Sequence, residues 1–528
     1  MFCALVFGSG LASIPVFDRD EARIAQTTFQ MLESGDYWRI AFQDTPRTDI
    51  PHAVHWLQAA AVAAFSSADA KAIWAYRLPS ALGAWVTVLF AYLLGRDLFG
   101  RRAGLTAAML LAVSPVLIAE AHIATADGAL VATMTAAHWV LARAYLAGHG
   151  GPRPGGALAA LFWVMVAAAA LLKAPVGPAV IAATAVALCL IDRRVMWLRP
   201  LWRVTGALAV AALVAAWTWR AAQAHDAGLV EAILAADLLP RLYTGAQGAP
   251  PGTHVLLALV ALGPAVPFVL LALAGVARNR TMPELRFCLA WLAPAWIVLE
   301  LTATKLPHYA LPLFPALTLL AAWRLGREDL AGCSAERVTI ALWGALSASI
   351  FFAVIGYLAL PAWQPGLASA DVLAIALISL STSLAAIYFG AAGRPRAVAW
   401  LAITSVAAIA VCGAAFALPR IEFFWMTERI VEAIERHAGD RAAGLVAVGY
   451  HEPSLVFRTA TDTALVDEYK AAELAAGERA LVFVVDERAR AAFEQRILQL
   501  GRARLPGAAV SGFNYSSGRW LTVWLYFP

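Results

Sequence analysis

The chain has 528 residues, 61% of them hydrophobic and only 14% charged, with a mean hydropathy of +0.70. A soluble domain carries about a quarter charged residues, so this composition excludes one and points to a polytopic membrane protein. The net charge of +5 does not argue for a nucleic-acid partner, because there is no basic run and the arginines are scattered between apolar segments.

Residues 1–17, MFCALVFGSGLASIPVF, lack the basic n-region and small-x-small cleavage site of a signal peptide. They are expected to form a short first membrane helix, near the lower limit of about 17 residues for spanning, which leaves room for a start upstream of Met1. The stretch 18–57 is the first long polar interruption and concentrates acids, bases, amides and aromatics. Chemistry is expected here first. Asp20 and Glu21 open a helical segment whose Ile24, Thr28, Met31 and Leu32 share one face. Two readings stay open. In one, Asp18 or Asp20 caps the helix and Glu21 complements its N-terminal dipole. In the other, the acid pair, with Arg23 close by, positions an acceptor and supplies a general base.

Apolar stretches long enough to span follow at 72–94, 103–120, 128–147, 157–172, 174–191, 204–219, 253–277, 287–303, 308–323, 338–360, 371–391 and 397–418. With the first segment they make about 13 spans. One set of short loops carries arginine throughout: Arg96, Arg101 and Arg102; Arg143 and Arg153; Arg193, Arg194, Arg199 and Arg203; Arg278, Arg280 and Arg286; Arg324, Arg327 and Arg337; Arg394 and Arg396. That face is expected to be cytoplasmic. The 18–71 loop, the 220–252 loop and the tail from about 420 then lie outside, in the periplasm of a cell with two membranes. No repeat of solenoid or propeller period occurs, nor a clean relation between halves of the membrane region, which weakens a transporter reading.

On the outer face, Asp127 in HIATADGAL starts a helix and is accounted for as its cap. Lys173 in LLKAPVGP and Lys305 in TATKLPHYALP stand before proline-containing breaks, with His308 and Tyr309 adjacent. Each lysine alone reads as a snorkelling side chain. Together with Arg241 they could form a cationic pocket for phosphate at the lipid boundary. The 220–252 loop, with a helical part over 230–239 and a Gly/Pro-rich arm, is read as an ordinary connection or as a lid over a lateral opening. Five widely spaced cysteines, Cys3, Cys189, Cys288, Cys333 and Cys412, show no CxxC or Cys/His pair, and imply neither a metal site nor a disulfide framework.

At Pro419 the composition turns ordinary. A helix is expected near 426–437, strands at 445–450, 463–467 and 480–487, a helix near 488–499, and a closing hairpin that turns at Ser516, Ser517 and Gly518. The expected organisation is therefore a membrane domain over 1–419, including loop 18–71 with juxtamembrane helices within 20–65, and an α/β domain over 420–528.

The phrases DRDEARIAQTTFQMLESGDYW, TADGAL, LKAPVGP and TKLPHYALPLFPALTLLAA, with GYHEPSLVF and GFNYSSGRW in the tail, resemble the bacterial polyprenyl-phosphate-sugar glycosyltransferases. That group includes the aminoarabinose transferase of lipid A and relatives of the protein O-mannosyltransferases. The resemblance runs nearly end to end. It implies an all-α polytopic GT-C fold in the bacterial inner membrane, with a lipid-linked sugar donor such as undecaprenyl phosphate carrying a sugar. It also implies transfer on the periplasmic side to lipid A, another envelope glycan or a protein. Asp20 corresponds to the family's loop aspartate, Arg23 to the arginine that follows it, and Asp127 to a second acid beside the cavity. One departure concerns the family lysine before the proline of the segment RTDIPHAVHW, which holds the donor phosphate. Here Ile50 precedes Pro51; either Arg47 takes over, or donor handling changes, or activity is lost. A divalent metal is left open. The chemistry agrees with this assignment, since a glycosyl phosphodiester needs cations to stabilise the departing phosphate and a carboxylate to orient or deprotonate an attacking hydroxyl. The alternative is a non-catalytic or transport-type polytopic protein that binds lipid-linked sugars. An intramembrane protease is disfavoured, as no GxSxG or HExxH occurs.

Overall fold

The computed structural model describes residues 1–47, 52–173, 175–201, 204–224, 249–327, 369–438, 444–477, 479–503 and 505–527. They fall into two compact units. The first comprises Met1–Leu11, Thr48–Leu57 and Arg77–Ala415, and the second Ala12–Arg47, Gln58–Tyr76 and Phe416–Pro528.

The chain begins with helices α1 (Phe2–Gly8) and α2 (Asp20–Ser34), a two-residue hairpin of β1 (Ala41–Phe42) and β2 (Thr45–Pro46), and α3 (His52–Phe65). Helices α4 (Ile73–Phe99), α5 (Arg101–Ala112), α6 (Pro115–Ala121), α7 (Asp127–Ala147), α8 (Gly156–Lys173), α9 (Val176–Asp192) and α10 (Val204–Ala224) follow. Further helices cover Thr253–Ala261, Val266–Asn279, Pro283–Leu301, Phe314–Gly326, Ser369–Ala391 and Pro395–Cys412. Among the described residues, six helices are long and apolar enough to cross a membrane, or up to eight if each of two bent pairs is one span.

Several expected spans are not straight helices, for local reasons. Residues 1–17 give only the seven-residue α1, because Gly10 takes φ +87° where the chain turns closely against the Ala414 carbonyl. The 103–120 segment bends by 64° between α5 and α6, where Pro115 lacks the donor that would continue the helix and Ser114 instead donates Oγ to Ala261 O at 2.8 Å. The 253–277 segment bends by 106° at Gly263–Pro264, with Gly263 at φ +59°. The expected 338–360 span and the 230–239 lid helix lie outside the described residues.

In the first unit, small residues let backbones meet, as membrane packing favours. A Cβ on Gly83 of α4 would lie 2.5 Å from the backbone of Gly128 in α7, and one on Gly128 would lie 2.6 Å from Ser80 O. Gly95 and Gly104 make the corresponding approach between α4 and α5. Two of the loop arginines are structural partners: Arg286 donates to Asp192 Oδ1 at 2.7 Å, beside Tyr145 Oη on Oδ2, and Arg143 approaches Asp97 at 3.5 Å.

The second unit holds a five-stranded sheet in the order β4-β3-β5-β7-β6. Strands β3 (Gly444–Val448), β4 (Ala464–Val466) and β5 (Leu481–Asp486) are parallel, and β6 (Gly507–Asn514) and β7 (Arg519–Tyr526) form an antiparallel hairpin joined to β5. Alternating side chains feed two apolar clusters. Val482, Val484, Val523 and Leu525 join the Met426–His437 helix on one side, and Phe483, Val485, Phe493 and Ile497 join the Glu487–Gln499 helix on the other. The hairpin turns at Gly518, φ +69°. Sequence reading did not anticipate the Pro453–Arg458 and Glu468–Ala476 helices.

Residues 12–47 and 58–76 are stitched into this unit. Gln26 Nε2 donates to Thr461 Oγ1 at 2.9 Å, Gln43 Nε2 to the carbonyls of Thr461 and Thr463 at 2.9 and 2.7 Å, and Lys71 Nζ to Thr459 O at 2.9 Å. Thr28 Oγ1 donates to Gln58 Oε1 at 2.8 Å. Helix α2 is buried well beyond one stripe, with Glu21, Gln26, Thr27 and Thr28 inside as well as Ile24, Phe29 and Met31.

Candidate functional site: an acid and lysine cluster at the ends of α7 and α8

Helix α7 begins at Asp127 because the chain before it is pinned: Ser80 Oγ donates to Thr125 O at 2.9 Å, and Gly128 permits the close crossing of α4. A carboxylate in the first turn suits the helix's positive end, and Lys173, the last residue of α8, suits the negative end of its own helix. The two meet. Lys173 Nζ donates to both carboxylate oxygens of Asp127, at 2.8 and 3.1 Å. The ammonium also lies 5.6 Å from the centroid of the Tyr309 ring, which stands on a 3-10 turn, Pro307–Leu313. The neighbouring His308 packs edge-on to Tyr309 and brings Nδ1 to 3.8 Å from Glu120 Oε1. Glu120 is buried at the end of α6 and accepts from Thr125 Oγ1 at 2.7 Å.

Lys305 has a different set of partners. Its side chain is 1% exposed, and Nζ donates to the carbonyls of Leu299 and Glu300 at 2.7 and 2.8 Å, with Glu300 Oε2 at 3.6 Å. It closes the C-terminal end of the Pro283–Leu301 helix, while Glu300 accepts from the backbone of Gly252 and Val255 at the start of the Thr253–Ala261 helix. Of the proposed phosphate pocket, the structure brings Lys173 and Tyr309 together, with His308 alongside through Glu120. Arg241 and Ile50 lie outside the described residues. In the same unit, His52 of the PHAVHW segment is buried and takes the Trp217 Nε1 hydrogen at 3.1 Å.

Asp20, Glu21, Arg23 and Arg47 belong to the second unit. Asp20 is exposed at the first turn of α2, and no side chain caps that helix: its N-cap residue is Arg19, at φ +63°. The expectation that Asp18 or Asp20 caps α2 is therefore corrected. Glu21, buried, instead reaches back to accept from Phe17 N, two residues before the N-cap, at 2.7 Å. Asp18 serves a different helix, accepting from Ser454 N at 3.2 Å at the start of Pro453–Arg458. Burial, with the Glu452 carboxylate nearby, pushes the Asp18 carboxyl up to about 7. Arg23 and Arg47 are half-buried, and Arg47 N donates to Ile40 O at 2.9 Å.

Among the buried ionisable residues that escaped sequence reading are Glu120 and Arg77. Arg77 lies wholly inside α4 and donates to Leu11 O at 3.0 Å. The available signal was simple: an ionisable residue inside an apolar span is a functional candidate by default. Among the described residues, no group of three or more His, Cys, Asp or Glu side chains is placed to hold a metal ion.

Residues 49–219 match the profile of the family described as dolichyl-phosphate-mannose-protein mannosyltransferase. The whole chain superposes on the crystal structure of ArnT from Cupriavidus metallidurans in the apo state, with a TM-score of 0.74 and 17% identity, over 99% of this chain and 96% of that one. The same protein bound to undecaprenyl phosphate matches with a TM-score of 0.74 and 16% identity, over the same shares of both chains. No curated protein sequence matches. The family profile thus matches about a third of the chain, and the fold of the chain over nearly its full length is that of ArnT.

Proposed function

We propose that the protein moves a sugar from a polyprenyl-phosphate carrier, undecaprenyl phosphate, to lipid A, another envelope glycan or a protein. In this reading transfer takes place on the periplasmic side of the inner membrane. The observation that carries the proposal is the Asp127–Lys173 pair beside Tyr309 and the Glu120–His308 contact, which puts acids and cations at one place. The ArnT bound to undecaprenyl phosphate supports the choice of carrier.

The acceptor oxygen attacks the anomeric carbon, the bond from that carbon to the phosphate oxygen breaks, and the carrier phosphate leaves with the electron pair. Lys173 is the cation we assign to the phosphate, through a charge-assisted contact that strengthens as the leaving group gains charge. His308 and Tyr309 stand beside it in the proposed donor site; the assignment of Lys305, Arg241, Arg23 and Arg47 to the donor rests on the sequence alone. Asp127 or Asp20 takes the acceptor's proton when the acceptor is a hydroxyl, and Glu21 fixes the start of α2 beside Asp20. An acceptor that is itself a phosphate needs no base, and the acids then only position it. About 13 spans, with the arginine-bearing loops inside and an α/β tail outside, complete the reading.

Purified protein in lipid nanodiscs, given undecaprenyl-phosphate-linked sugar and lipid A or envelope glycans, should release undecaprenyl phosphate and yield a sugar-bearing acceptor by mass spectrometry. Intact donor with every acceptor, under conditions where the protein binds it, would overturn the proposal.

A further inference from the structure

The second unit carries a cluster of aromatic side chains that its own core does not use. Phe423 stacks on Trp520 with centroids 5.4 Å apart, Phe424 stacks on Tyr515 at 5.6 Å, and Phe513 lies 5.8 Å from both Phe424 and Trp520. The cluster is built into the fold. Gly512 of β6 leaves room for the Phe423 carbonyl, which a Cβ there would meet at 3.0 Å, and the two aromatic strips come from chain segments nearly a hundred residues apart. Its outer member, Trp520, is nevertheless 59% exposed. Exposed Arg519 stands next to it in the hairpin.

What covers this surface follows from the chain that leads to it. The apolar helical stretch Pro395–Arg420 is 26 residues long and is the most hydropathic of the candidate spans. It ends in exposed Phe416, half-buried Leu418 and exposed Arg420, and Phe423 and Phe424 follow three and four residues later on a 3-10 turn, Glu422–Phe424. At about 2 Å of rise per residue, three residues carry Phe423 no more than roughly 6 Å beyond the end of the span. The polar headgroup layer on each side of the hydrocarbon is about 5–7 Å deep. Trp and Tyr prefer that layer, where an apolar ring and a polar N–H or O–H are both satisfied, and arginine beside them meets phosphate.

We propose that Phe423, Phe424 and Trp520, backed by Phe513 and Tyr515 and flanked by Arg519, form an aromatic foot that rests in the phospholipid headgroup layer of the leaflet into which the Pro395–Arg420 span emerges. The foot fixes the height of the β6–β7 hairpin above the hydrocarbon. It acts by partitioning, involves no bond chemistry, and is independent of which sugar or acceptor the protein uses.

The test is photo-crosslinking of the full chain in phosphatidylglycerol nanodiscs that contain a phospholipid with a diazirine next to its headgroup, followed by peptide mapping. Tyr469 and Leu498 of the same unit are as exposed as Trp520, at 58% and 59%, and serve as internal controls. Adducts should concentrate on the peptides holding 418–424 and 519–526, exceeding those on the Tyr469 and Leu498 peptides by roughly fivefold or more. Trp520→Ser should lower the hairpin adducts by a similar factor, while Trp520→Phe keeps most of them, with thermal unfolding in detergent showing both variants folded. Equal labelling of the Tyr469 and Trp520 peptides, or no labelling at either strip, overturns the proposal. So does a Trp520→Ser variant that folds and labels as the parent does, or protection of the strip by a second copy of the chain.

Discussion

At the scale of single residues, Asp127 and Lys173 are a matched pair, and removing either breaks a two-oxygen charge-assisted contact. Asp127→Asn should therefore cost about 1–3 kcal/mol of stability and, if Asp127 is the base or holds Lys173 in place, reduce sugar transfer by roughly 10²-fold or more. Lys173→Met should weaken donor binding by about 1.5–3 kcal/mol through the lost charge-assisted contact, measured as undecaprenyl phosphate affinity. Asp20 separates differently. It makes no cap for α2, so Asp20→Asn should leave unfolding temperature unchanged; transfer that also stays at the parent rate would remove it from catalysis. Asp18 sets a pH dependence. Its folded carboxyl is raised to about 7, above the unfolded value near 4, so the folded state binds more protons between these values. Stability from this group is greatest in acid and declines as pH rises from about 4 to 7. Asp18→Asn should flatten that decline in thermal melts across the same window.

At the scale of elements, the lysine before each break turns out to do a different job. Lys305 ties off the C-terminal end of the Pro283–Leu301 helix through two carbonyls and Glu300. Lys305→Met should thus lower stability by about 1–3 kcal/mol; a donor affinity that falls in step, in a variant rescued for folding by mild detergent, would retain it in the donor set. Gly128→Leu should be worse, since a side chain there runs into the Ser80 backbone, and overpacking of this kind costs about 1–3 kcal/mol or more. Sequence alone made the strands legible, because runs such as LVFVVD between turn residues leave little else for the chain to do. It missed the bends at Ser114–Pro115 and Gly263–Pro264, because mean apolarity is blind to one absent donor. Lys173 and Asp127 were legible as residues but not as a pair, because 46 positions separate them and no local rule reports which helix ends meet. Glu120 was hidden inside an apolar run that was read as ordinary membrane packing.

At the scale of the whole molecule, the arginine-bearing loops make a statement about sidedness. A reporter fused after Pro528 should be active outside the cytoplasm and one at Gly393 inside; activity of both in one compartment would sink the odd count of spans. Polytopic character was plain from composition, whereas the way distant segments combine was not. Residues 12–47 and 58–76 join the last hundred residues in one compact unit, and nothing in the local pattern of α2 announces its partner.

That stitching has a consequence for how the protein is made. Gln26 and Thr461 are separated by 435 positions, and Asp18 and Ser454 by 436. At about 5–20 residues per second of synthesis, α2 waits roughly 20–90 seconds before the turn that buries it has been translated. Over that interval Gln26 lacks its Thr461 partner while successive hydrophobic segments enter the bilayer. Helix α2 is therefore translated long before it can mature, and a message cut short before Ser454 would leave its partners unmade and its surface open to quality-control proteases.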